Sequence, residues 1–319
     1  MESSSQNPKI VDSHVHVFPN LIRPDLIGKL PIAGPLGRLR AKARELWTPL
    51  SSSMHYSQTV LRHLPESARQ KLDELSGVAP ILGLFIESTA SDLVQAMDRA
   101  GVDSAWVIAH PPLISNEFVM TLCERNPRLH PVVNIPKNTP RPATQLKSFV
   151  KHGAKLLKIH PAADGLPPES PFYKKLLKTA SDLGIPVIIH TGCIHSHLLY
   201  KTPEFACAEL FTPWFKEYAQ TRFILAHMNF HQPHIAFDLA EEHLNLYMDT
   251  SWQPAEVIGE SVRRLGAERI LFGSDWPFIG GNLDVGLARI RDCVNSGTLN
   301  AEQSKLILGE NAIKLLTKI

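Results

Sequence analysis

From about residue 80 onward, short β-branched runs alternate strictly with stretches of helical spacing. A run of about 4–8 apolar residues without polar alternation suits a strand buried on both faces, whereas apolar positions three and four apart make one helical stripe. The expected strands are Lys9–Val15, one of Pro80–Ile86 and Ser104–Ile108, Leu129–Ile135, Lys155–Ile159, Pro186–His190, Arg222–His227, Leu246–Thr250 and Arg269–Gly273. Helical patterns fall between them at Ser91–Ala100, Thr144–His152, Pro171–Leu183, His234–His243, Ala255–Leu265 and Leu283–Val294, each closed by Gly, Asn or a similar stop. Ala301–Thr317 reads as one or two further helices, with Gly309 as the break between them. Eight βα units in sequence predict one α/β domain over residues 1–319, a (β/α)8 TIM barrel.

Residues 21–79 interrupt the rhythm with several prolines and two expected helices, Leu36–Trp47 and Thr59–Ser76. This helical insertion follows the first strand, so it belongs above the barrel mouth as a lid. Its Arg38, Arg40, Arg44 and Arg62 read first as a solvated helix face and second as recognition of an acidic substrate.

Composition narrows the class. A net charge of +2 over 319 residues offers no electrostatic track for nucleic acid or an acidic membrane surface, which leaves a small molecule as the expected partner. Cys123, Cys193, Cys207 and Cys293 are scattered, without the paired spacing of a thiolate zinc site or a disulfide framework. With no apolar run of spanning length, a cytoplasmic enzyme is the expectation.

Four strand ends carry candidate chemistry. In Val11-Asp12-Ser13-His14-Val15-His16 the period of two puts both imidazoles on one face of a strand, where they can bind one divalent ion. Two further apolar strands end in histidine, at His190 before Thr191-Gly192 and at His227. The last strand ends in a carboxylate, Asp275, within Gly273-Ser274-Asp275-Trp276-Pro277. A lone strand-end histidine is more often structural and a lone aspartate is often a helix cap. Together, however, these ends converge on one mouth and offer N and O ligands suited to Zn²⁺, Mn²⁺ or Fe²⁺.

In the order of these motifs, with Lys158-Ile159-His160-Pro161, Tyr247-Met248-Asp249-Thr250-Ser251 and Leu308-Gly309-Glu310-Asn311-Ala312, the sequence resembles the amidohydrolase superfamily, in its amidohydrolase-related branch. The resemblance spans nearly the whole chain and leaves out only the insertion. It implies that His14, His16, His190 and Asp275 bind metal and that His227 sits beside the reacting water. On the mechanism expected for such a site, Asp275 moves the water proton and His227 holds the water or stabilises developing charge, which makes both catalytic; members of the branch are often homodimers. Members of the branch include hydrolases, lactonases and non-oxidative decarboxylases. The expectation is a metal-dependent hydrolase of an ester, lactone or amide. A decarboxylase of an aromatic or unsaturated carboxylic acid is the alternative on the same ligands.

Lys158 leaves the metal count open: it is a bridging carboxylated lysine between two ions, an ammonium for a substrate carboxylate, or a strand residue paired with an acid. One ion, zinc foremost, is the expectation. His160, His195, Trp252 and Trp276 are candidate substrate contacts, each with a loop-packing reading beside it. A TatD-like nuclease would require a glutamate where Lys158-Ile159-His160 stands, and a non-catalytic barrel would need none of the four ligands.

Overall fold

The computed structural model describes residues 9–19, 42–43, 63–76, 84, 87–192, 197, 199–278 and 283–317. Eight parallel strands form one sheet in sequential order: β1 Val11–Val15, β2 Ser104–Ile108, β3 Leu129–Val133, β4 Leu156–Ile159, β5 Val187–His190, β6 Phe223–Ala226, β7 Leu246–Asp249 and β8 Ile270–Leu271. The barrel closes just past β8, where Ser13 N donates to Phe272 O at 2.8 Å, Asp275 N to His14 O at 2.8 Å and His16 N to Trp276 O at 2.7 Å. The second strand is therefore Ser104–Ile108. Of the competing run 80–86 only Leu84 lies among the described residues, as part of a turn.

Strand alternation sorts the core into two shells. Trp106, Ile108, Val132, Leu156, Ile188, Ile224 and Leu271 pack with one another and with Ala312 and Leu315, filling the barrel interior. Their neighbours Val107, Val133, Leu157, Ile189 and Leu225 pack outward with the surrounding helices. Each such buried aliphatic side chain contributes about 1.5–3 kcal/mol. The same parity carries function: two residues beyond Leu156 comes Lys158, and two beyond Ile188 comes His190, both on the interior face.

The expected helices appear at Ala90–Ala100, Pro142–Lys151, Pro171–Leu183, Pro233–Glu242, Ala255–Leu265 and Leu283–Asn295. Asn116–Arg125 adds one between β2 and β3 that the spacing does not single out. It buries only Asn116, Val119 and Cys123, too thin a stripe for a strong periodic signal.

The C-terminal expectation needs correction. Ala301–Lys305 and Asn311–Thr317 are joined through a π-helical turn, Leu306–Glu310, so Gly309 breaks nothing. A Cβ on Gly309 would stand 1.9 Å from Lys9 O, so glycine is there to let the chain start pass against the helix.

Within the insertion the described helix is Glu66–Ser76, and the loop after β5 reaches it where His197 N donates to Glu74 Oε2 at 3.1 Å. The expected helix Leu36–Trp47, apart from Lys42 and Ala43, lies outside the described residues, as do Arg38, Arg40, Arg44 and Arg62. Cys123, Cys207 and Cys293 are free thiols, and no described helix is long and apolar enough to cross a membrane.

Candidate metal centre and active site

The seam between β1 and β8 brings His14, His16 and Asp275 together, with one donor atom from each lying within 4.8 Å of the others. His16 Nδ1 lies 3.1 Å from Ile108 O, and burial holds this imidazole neutral by pulling its pKa below the usual value. A carbonyl only accepts, so the proton sits on Nδ1 and the Nε2 lone pair faces Asp275 Oδ1 at 3.3 Å. His14 is built alike. Its Nδ1 is 2.8 Å from Asp249 Oδ2, while Nε2 has no hydrogen-bond partner and stands 3.5 Å from the same Asp275 oxygen. Two imidazole Nε2 atoms and a carboxylate oxygen thus face one another in a buried space, an arrangement that a cation would satisfy.

Asp275 is held for this. Its backbone adopts φ 57°, tolerated by aspartate, and its Oδ2 accepts from Trp252 Nε1 at 2.6 Å. Burial alone would raise its pKa, but the polar groups gathered around it, His14 foremost, outweigh that and keep it below the ordinary carboxylate range.

Asp249 is the outer partner, a residue to which the sequence reading assigns no role. Its Oδ1 accepts from His227 N at 3.0 Å, from Ser251 N at 3.1 Å and from the Ser251 hydroxyl, so it is saturated with donors and aims His14. Burial opposes its ionisation, yet His14, His227 and Ser251 hold its pKa below the usual range. Asp12, equally silent in the sequence, ties the seam by accepting from His14 N at 3.1 Å and Ser274 N at 3.0 Å, and burial raises its pKa to about 7. A carboxylate at the end of β7, in register with the other strand ends, is the signal that points to Asp249.

A hydrogen-bond chain runs onward from Asp249. The Ser251 hydroxyl gives its only hydrogen to that carboxylate, so His227 Nδ1, 2.7 Å away, must donate to Ser251 Oγ. Burial lowers the His227 pKa to about 3, leaving Nε2 as an acceptor for His190 Nδ1–H at 3.3 Å. His190 therefore presents an Nε2 lone pair, buried and without a hydrogen-bond partner. His190 is not in the tight group of His14, His16 and Asp275; it adjoins it through His227, whose ring centroid is 4.9 Å from those of both His14 and His190.

This order is held by a strained segment. His227, Met228, Asn229 and Phe230 all have positive φ, a conformation costing on the order of 1–3 kcal/mol per residue. Gln253 Nε2 clamps it by donating to His227 O at 2.6 Å and Phe230 O at 2.9 Å. Gly192, at φ 58°, lies against it so closely that a Cβ would stand 2.2 Å from Asn229 C and O.

Above the donors lies a cavity of about 350 Å³. Phe18, Leu84, Phe230, Trp252 and Phe278 supply apolar walls, and His110, Lys158, His160 and His190 line it as well. Burial lowers His110 to about 4 and takes His160 and His190 well below the usual histidine value, so these rings are neutral. Burial also lowers Lys158 to about 8 against the pull of Asp249 and Asp275, which leaves an ammonium at neutral pH. A wider groove of about 740 Å³ at the opposite end of the barrel, near Lys9, Gly101 and Leu316, lacks any comparable set of buried donors among the described residues.

Of the remaining candidates, Trp252 both walls the cavity and orients Asp275. Trp276 is 1 % exposed and does not line the cavity; its carbonyl holds the β1 seam by accepting from His16 N. His195 lies outside the described residues.

A metal-supporting barrel mouth of this kind agrees with the sequence comparison. The chain belongs to the amidohydrolase family, whose model matches residues 11–318. No curated protein matches it in sequence. Among solved structures it resembles an uncharacterised TIM-barrel protein, Bb4693, from Bordetella bronchiseptica, at TM-score 0.67 and 16% identity over 97% of this chain and 99% of that one. It also resembles a probable 2-pyrone-4,6-dicarboxylic acid hydrolase from Acinetobacter baumannii, at TM-score 0.57 and 13% identity over 97% and 99% of the two chains. A third is 5-carboxyvanillate decarboxylase LigW from Sphingomonas paucimobilis, at TM-score 0.60 and 12% identity over 97% and 99%. At these identities the likeness is one of fold.

Proposed function

We propose that the protein is a metal-dependent hydrolase that cleaves a small-molecule ester, lactone or amide with water. The observation that carries this is the convergence of His14 Nε2 and His16 Nε2 on Asp275 Oδ1 in a buried space. His14, His16 and Asp275 would hold one divalent ion, zinc foremost, with the free His190 Nε2 as the fourth donor. Such an ion supplies Lewis acidity and brings the pKa of water from near 16 toward about 7.

The chain's own groups handle the protons. Asp275, oriented by Trp252 Nε1–H, takes the proton of the attacking water and returns it to the leaving group. Neutral His227 accepts from His190 Nδ1–H at Nε2 and so aims the His190 Nε2 lone pair at the reacting centre; it would hold the water itself only on exchanging that hydrogen bond for one from the water. The serine relay that directs the His227 proton to Nδ1 speaks against it as an oxyanion donor. The apolar walls keep bulk water out and strengthen these interactions.

Those walls also favour a second reading, non-oxidative decarboxylation of an unsaturated acid, because an apolar pocket eases departure of CO₂ from a carboxylate. Both activities occur among the similarly folded proteins named above. Incubating the metal-loaded protein in ¹⁸O-labelled water with panels of lactones, esters and hydroxybenzoates separates them. Hydrolysis predicts label in the product; CO₂ release without label would overturn the hydrolase reading.

A further inference from the structure

Lys158 stands out among the cavity's polar groups. It is 1 % exposed, it projects from the interior face of β4, and its Nζ has no hydrogen-bond partner. Burying an ammonium without an acceptor is unfavourable, so a position of this kind implies a partner that arrives from outside. The internal carboxylates are already committed: Asp249 to His14, His227 N and Ser251, and Asp275 to Trp252 and the His14 and His16 cluster.

His160, two residues along the same face, supplies a second donor. Its Nδ1 accepts from Ala163 N at 3.2 Å, so the neutral ring carries its proton on Nε2. It stacks on His190 with centroids 3.7 Å apart and planes 14° apart, which fixes the ring's direction. Tyr200 flanks it at 5.3 Å.

We propose that the Lys158 ammonium, assisted by His160 Nε2–H, anchors a non-reacting carboxylate of the substrate. The substrate class is thereby narrowed to small apolar or unsaturated molecules bearing a carboxylate separate from the scissile bond. The inference builds on the hydrolase reading for its substrate but not for the anchor itself. A single ammonium with one imidazole N–H and apolar walls matches a carboxylate better than a phosphate, which calls for more donors. A carbamate at Lys158 bridging two ions fits less well. His190 and His227, the nitrogens that would hold a second ion there, hydrogen-bond each other at 3.3 Å. Among the described residues the convergent donor groups come from the β1, β6, β7 and β8 ends, none from β4.

Calorimetric titration of the metal-loaded protein with benzoate and with benzamide tests this without reference to turnover. Benzoate is expected to bind the native protein and to lose at least about tenfold in affinity in Lys158→Gln at unchanged metal content. Lys158→Arg, which keeps the charge, should retain benzoate binding and serves if the glutamine variant fails to fold. Benzamide should be indifferent to either change. Equal benzoate affinity in native protein and Lys158→Gln, or loss of binding in the arginine variant as well, would overturn the anchor. So would a carbamate resonance after ¹³C-bicarbonate labelling that disappears in Lys158→Gln. If labelled water shows no hydrolysis while the benzoate result holds, the hydrolase reading fails and the anchor stands.

Discussion

The two sides of the barrel mouth are built on opposite terms. Along the β7–β8–β1 side each carboxylate accepts at least one hydrogen bond within the protein: Asp12 Oδ1 fastens the strands, Asp249 aims His14, and Asp275 accepts from Trp252, while Asp12 Oδ2 has no hydrogen-bond partner. Along the β4–β5 side, Lys158 Nζ and His190 Nε2 are buried with nothing to bond. The first side is closed upon itself apart from Asp12 Oδ2 and the atoms that face a cation; on the second, Lys158 Nζ is completed only by what enters the cavity. On the proposed reading, metal retention falls to the first arc together with His190, and substrate choice to Lys158, a division that substitution can break.

The largest effect is expected at Asp275. Asp275→Asn should lower turnover by about 10³-fold, within the range for a general base, and keep more metal than His14→Ala, whose metal content by elemental analysis should fall to background. If Asp275→Asn turned over at the native rate, the proton role on the β8 side would be lost. Next comes Asp249→Asn. It touches no substrate, yet it should weaken metal affinity by about 10–100-fold in chelator competition, because His14 loses the acceptor that sets its tautomer. Unchanged affinity there would show that the closed arc is not what retains the ion. The smallest concerns the joint between the two arcs. Gly192→Ala forces a Cβ into Asn229 and should cost on the order of 2–4 kcal/mol, read as a lowered Tm, with metal stoichiometry intact in the folded fraction.

Strand ends are legible because a barrel strand is apolar until it reaches the mouth and polar where it arrives. That break marks His14, His16, His190, His227 and Asp275 without any knowledge of neighbours. Asp249 and Asp12 are harder to read, since a buried aspartate looks like any other until its donors are placed around it. Chain position alone assigns Trp276 to the cavity, yet its side chain turns into the core and its carbonyl serves the seam.

From residue order alone came the alternation of strand and helix, the eight-unit count and the types of atom available as ligands, because periodicity and side-chain chemistry are local properties. Only the folded chain decided which nitrogen of each histidine carries the proton, that His190 and His227 pair with each other, and that Lys158 is left without a partner. Those outcomes depend on hydrogen bonds between residues as far apart as His14 and Asp249, and no local pattern encodes such a meeting.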